Sequence, residues 1–147
     1  MRLEEQVCTL EQARKLKNLG IKQNWSYAAW LRDARRELVE YELLPCEKVA
    51  YAGSSTKKQP IEGFAAFTSG ELEDMLLACF FTGHAFKSND KWAHTWGHQK
   101  NGGAHSGPIL SWHDTAAQAR AGMLIYLLEN GSLSPGQVNE RLMDKNS

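Results

Sequence analysis

The chain has 147 residues, of which 42% are hydrophobic and 23% charged, with 17 Lys and Arg against 17 Asp and Glu. That length fits one domain with one core, and a formal charge of zero excludes broad charge-driven binding to DNA, RNA or an anionic membrane while leaving a local basic pocket open. No apolar run is long enough to span a bilayer, and Cys8, Cys46 and Cys79 have no CxxC spacing that would suggest a disulfide framework or a zinc knuckle.

In chain order, the polar, acidic opening Met1–Glu5 is unlike a signal peptide, so a cytoplasmic chain with reduced thiols is expected. Thr9 and Gln12 form a capping-box pattern ahead of the apolar positions Leu10, Ala13, Leu16 and Leu19, and Gly20 suits a helix stop. This predicts a short helix over about residues 10–19. Residues 25–44 fit two periods. Trp25, Tyr27, Ala29 and Leu31 alternate, as do Val39, Tyr41 and Leu43, which favours two strands joined at Asp33–Arg36. One helix from about 26 to 43 is the competing arrangement, and Pro45 ends either element. Val49–Ala52 reads as a short strand and Gly53–Pro60 as a polar loop. Its hydroxyls and lysines suit phosphate, but it lacks P-loop spacing.

Thr68 and Glu71 repeat the capping box before Leu72, Met75, Leu76 and Cys79, which predicts a helix over about 69–78. Two β-like runs then flank the polar turn Lys87–Asp90 and read as a hairpin. The second run, Lys91–His98, alternates faces if it is one strand. Trp92, His94, Trp96 and His98 would then share a face, opposite Ala93, Thr95 and Gly97. A core strand favours Val, Ile or Leu, whereas rings with imidazoles suit a flat polar ligand such as a nucleobase. A hydrogen-bonded aromatic corner of the core is the other reading. The glycine-rich Gln99–Gly107 is expected as a lid over that face or a loose hairpin tip, and Ile109–Trp112 as a returning strand. The clearest element is a helix from Thr115 to about Asn130, capped by Asp114 or Thr115 and stopped by Gly131. Its apolar stripe is Ala117, Ala121, Leu124, Ile125 and Leu128, widened by Met123, Tyr126 and Leu127. Ser134, Pro135 and Gln137 open a terminal helix whose weak stripe, Val138 and Leu142, leaves it as an oligomer arm or a fraying end. The expected fold is a single α+β domain over 1–147. An antiparallel β-sheet packs with an N-terminal short helix, a central helix and a long C-terminal helix.

No catalytic set is complete. His94 and His98 would be roughly 13 Å apart on a strand, too far for one metal ion, so neither a metal nor a cofactor is expected. Cys79 beside Phe80 and Phe81 reads as buried, and Ser106 beside His105 lacks a nucleophile elbow. His113-Asp114-Thr115 matches half of a two-histidine phosphoesterase pattern, but neither His84 nor His94 completes the other half. Binding asks for less. Trp92 and Trp96 would stack a base, with His94 and His98 contacting polar edges or phosphate. Trp25 or Trp30 would complete the pocket with Arg32, Arg35, His84, Lys100 and His105 as polar contacts.

The stretches Val7–Gln23, Ala65–Leu76 and Thr115–Gly131, about a third of the chain, together resemble a family of small uncharacterised phage and prophage proteins, and also the helix–sheet–helix sandwich proteins of phages. That pattern places strands between the first two stretches and transfers no catalytic motif. Residues 79–113 depart most from it. At the level of class, the chain resembles phage sponges, compact oligomers that trap nucleotide second messengers of bacterial defence. The resemblance implies a homo-oligomer in the host bacterial cytoplasm that sequesters a cyclic ADP-ribose-type or cyclic dinucleotide signal without catalysis, and that engages neither nucleic acid nor membrane. A phosphodiesterase acting on such a signal is one alternative, and a protein–protein inhibitor of a host defence factor is another.

Overall fold

Among the described residues, each of the four longer helices begins at a hydroxyl side chain. The computed structural model describes residues 2–23, 26–33, 40–45, 61–77, 81–82, 85–94, 97–100, 103–106 and 112–145, with 33, 61–62, 81–82, 97–100, 103–106 and 144–145 described by backbone alone. After a single turn, α1 (Leu3–Gln6), comes α2 (Leu10–Asn18), where Thr9 Oγ1 accepts from the Gln12 amide and Gln12 Oε1 accepts from the Thr9 amide, both at 3.1 Å. The same reciprocal box opens α3 (Ser69–Leu76) through Thr68 and Glu71. Thr115 caps α4 (Ala116–Glu129), and Ser134 with Gln137 forms a third box ahead of α5 (Pro135–Lys145). Such caps satisfy amides that have no partner inside the helix, each worth about 1 kcal/mol. Gly20 at φ 98° and Gly131 at φ 80° take the left-handed conformation that ends α2 and α4.

The strands of the described residues pair antiparallel throughout, as expected. β1 (Ala28–Asp33) lies between β2 (Glu42–Pro45) and β3 (Ile61–Ala65). The hairpin arrangement therefore holds for the 25–44 region and the competing helix does not, although β2 starts at Glu42 rather than Val39. Pro45 closes β2, the edge strand among the described residues, where its missing amide hydrogen is tolerated. β4 (Phe81–Thr82), β7 (Gly97–Lys100) and β8 (Gly103–Ser106) form a second sheet in the order β4-β7-β8. β5 (Ala85–Ser88) and β6 (Lys91–His94) form a two-stranded ribbon. Its turn is two residues, Asn89 at φ 51° and Asp90 at φ 63°, a conformation that matches strand twist and draws Lys87 and Ser88 into β5. Residues 99–100 and 103–106 of the glycine-rich stretch lie in β7 and β8, which pair antiparallel, in keeping with the hairpin expectation. The expected strand at 49–52, the loop 53–60 and most of 109–112 lie outside the described residues.

At the centre is α4. Its apolar positions are buried nearly all round, Ala119 and Met123 as well as the expected stripe, because it is covered by α2, α3 and the β5–β6 ribbon. Gln12 links two of these elements, since its Nε2 donates to Gln118 O at 2.9 Å while its Oε1 serves the cap. The terminal helix is docked instead of standing off as an arm. Val138 and Leu142 are buried in the core, Asn139 Nδ2 donates to Gly20 O at 2.9 Å, and Arg141 Nε donates to Asp74 O at 2.7 Å. The helix packs against α3.

Two expected results follow from this packing. A Cβ on Gly63 would overlap the Leu31 side chain of the neighbouring strand and sit 3.1 Å from the Trp30 carbonyl oxygen. Gly63→Ala should therefore lower stability by about 1–3 kcal/mol in a urea titration, the usual cost of overpacking. No loss would mean that Leu31 turns aside freely. Cys8 is fully buried, and burial pushes its thiol up from 9.0 to about 12, with the Phe67 backbone hydrogen bond partly opposing. Between those values the unfolded chain holds fewer protons than the folded one, so stability falls as pH rises above 9.0 and is unaffected below. Relative to Cys8→Ala, the wild type should lose stability across that window, and iodoacetamide should mark Cys8 only upon unfolding.

Candidate functional site

The tight Asn89-Asp90 turn sets the register of β6, pairing Lys87 with Trp92 and Ala85 with His94. Trp92 is also joined to His113 by two backbone hydrogen bonds of 2.6 Å, an isolated bridge that ties the ribbon to the segment leading into α4. Trp92 is half-buried. Ala93 is fully enclosed on the other face and His94 is 8% exposed, since α4 packs along this strand.

Trp92 and His94 do lie two apart on one strand, as expected. β6 pairs with β5 and β7 with β4 in one common antiparallel register, Ala85 opposite His94 and Phe81 opposite His98, while β7 also pairs with β8; residues 83–84 and 95–96, which join the two pairings, lie outside the described residues. Within that second sheet, His98 and His105 occupy directly paired register positions. The half-buried Trp30 packs its ring against both core clusters, and its Nε1 donates to Cys8 O at 3.3 Å. The Arg32 guanidinium lies 4.8 Å over the Tyr41 ring. Trp25, Arg35, His84 and Trp96 lie outside the described residues, and Lys100, His98 and His105 are described by backbone alone.

Trp92 instead contributes to a cleft of about 710 Å³ that sequence reasoning missed. Three other segments complete it: Arg2, Glu4, Glu5 and Gln6 around α1, Thr68–Gly70 at the start of α3, and Asp114–Gln118 at the start of α4. Among the described residues, Trp92 is the one expected site residue that lines it. Arg120 braces the two helix starts, as one guanidinium nitrogen donates to both the carbonyl and the hydroxyl of Ser69 while another faces Glu73 at 3.7 Å. The caps occupy the Glu71 and Gln118 amides, so the amides of Ser69, Gly70, Ala116 and Ala117 have no carbonyl partner within their helices. Arg2 reaches Glu5 at 3.4 Å, and Lys91 bonds Asp114, holding that exposed carboxyl below its usual value.

His113 sits behind the cleft wall. Its Nε2 is 3.0 Å from the point a Gly122 Cβ would occupy, so the missing side chain on α4 makes the seat for its ring. Burial lowers the His113 pKa from 6.5, partly opposed by Asp114. The unfolded histidine then protonates first as pH falls, and stability declines from 6.5 downward to the folded value. Compared with His113→Gln, the wild type should lose denaturation free energy as pH is lowered through that range. An unchanged difference would remove His113 from the account.

A scan against protein-family models finds no match, and searches of curated proteins and of solved structures find none either.

Proposed function

We propose that the chain is a phage anti-defence protein that binds and sequesters a nucleotide-derived immune second messenger, of the cyclic ADP-ribose or cyclic dinucleotide type, without turning it over. The observation that carries this reading is the half-buried Trp92 ring in the wall of a cleft of about 710 Å³. That volume is within the range of about 300–1,000 Å³ typical of small-molecule sites. An indole wall offers a stacking surface to any base. The amides at the starts of α3 and α4, with Arg2, offer donors to phosphate, and Glu4 and Glu5 offer acceptors to ribose hydroxyls or base amino groups. The phage origin rests on the resemblance of the three stretches given above. In this reading the protein works as a homo-oligomer in the host bacterial cytoplasm.

A phosphodiesterase is the second reading. It is favoured by His113, kept neutral beside the cleft residues Asp114 and Thr115 and so able to accept a proton. One experiment separates the readings. The purified protein is incubated with a panel of cyclic dinucleotides and ADP-ribose derivatives, freed of unbound ligand and heat-denatured, and the released molecule is analysed. Intact ligand is the expected result. A shortened or opened product moves the case to hydrolysis. No uptake from any member overturns nucleotide binding, and a pull-down from host lysate then tests the protein-inhibitor alternative.

A further inference from the structure

Away from the cleft, three cations gather on two aromatic rings. Arg14 and Lys17 stand one turn apart on α2, Arg32 comes from β1, Phe64 from β3, and Tyr41 precedes β2. The two ring centroids are 5.7 Å apart with planes tilted by 46°. The Arg14 guanidinium carbon lies 5.2 Å from the Tyr41 centroid and 5.5 Å from that of Phe64. Arg32 lies 4.8 Å over Tyr41, and Lys17 Nζ lies 5.0 Å over Phe64 while donating to Gly63 O at 3.2 Å.

Like charges held this close repel one another, and ring quadrupoles offset only part of that cost. Carboxylates are near in sequence: Glu11 lies one turn before Arg14, and Glu40 and Glu42 flank Tyr41. Among the described residues, neither Arg14 nor Lys17 forms an ion pair with any of them. Both side chains are exposed, so their remaining N–H donors reach solvent. The rings lie beneath cations and are not open for stacking. The chemistry this cluster recognises is therefore phosphoryl oxygen rather than a base, with a guanidinium fork for bidentate contact and an ammonium for point charge.

We propose that Arg14 and Lys17 form an oligophosphate-binding site, separate from the Trp92 cleft. The probe is tripolyphosphate, titrated calorimetrically at constant ionic strength, with sulfate as the comparison. Saturable binding is expected, tighter than that of sulfate. It should weaken about tenfold or more in the double variant Arg14→Gln/Lys17→Gln, weaken less in Arg14→Lys, which keeps the charge but loses the fork, and be unchanged in Trp92→Ala. Thermal melts confirm that each variant is folded. No saturable binding, equal affinity for sulfate, or full affinity in the double variant each overturns the site. Loss in Trp92→Ala with none in the double variant also overturns it and assigns the anion to the cleft, so this outcome is distinct from a failure of the second-messenger reading.

Discussion

Replacing Phe67 by alanine is expected to lower the unfolding free energy by about 3–5 kcal/mol, the range for deleting a buried aromatic ring. Phe67 heads the fully buried side chains and belongs to the main core cluster, which gathers residues from α2, α3, α4 and α5. Its neighbours cannot readily close the gap. The Phe67 carbonyl accepts from the Cys8 amide at 3.0 Å, Thr68 bridges to Val7, and the Ala66 amide donates to Ala28 O at 2.9 Å, so the backbone on both sides is held. Domains of this size have only about 5–15 kcal/mol in total. The variant should therefore unfold at far lower urea concentration, with the slope of the transition unchanged. Phe67→Leu should lose less, since it fills more of the space. A loss under about 1 kcal/mol for alanine would show that the core collapses around the site, contrary to this packing.

Trp92→Ala is expected to weaken retention of the recovered nucleotide by about five- to 150-fold, corresponding to roughly 1–3 kcal/mol of base stacking. The fold should survive. The bonds joining Trp92 to His113 are backbone bonds of 2.6 Å and do not need the indole, and the ring is half-exposed in the cleft wall. Trp92→Phe keeps a smaller stacking surface and should recover part of the affinity. Retention equal to wild type in a folded Trp92→Ala protein would remove the indole from the binding site. Unfolding of the alanine variant together with a folded, fully binding phenylalanine variant would assign the ring to structure alone.

The helix starts were legible because capping is local. Thr9 with Gln12, Thr68 with Glu71 and Ser134 with Gln137 are three residues apart, and their hydrogen bonds close within one turn whatever surrounds them. Gly20 and Gly131 mark stops for the same reason. Hairpins were legible to the extent that their turns are short, which is why β5 and β6 were found while β2 was placed three residues early. The alternation in Lys91–His98 is local in the same way, and the described parts of that stretch, β6 and the start of β7, keep one common register against β5 and β4.

The site needed the tertiary structure. Its lining joins Arg2 to Gln118 through elements far apart in the chain, and no spacing rule reaches across such distances. Trp30 shows the same limit. Its alternation with Arg32 was visible, but only the fold brings its indole to the Cys8 carbonyl and against the core. Sequence by itself determined the α+β class, the helix boundaries and the presence of antiparallel hairpins, because these follow from hydrogen bonds and side-chain periods that close within a few residues. Tertiary structure alone decided which strands share a sheet, which helix lies at the centre and which residues face the cleft, because those depend on burial against segments that the chain order does not place side by side.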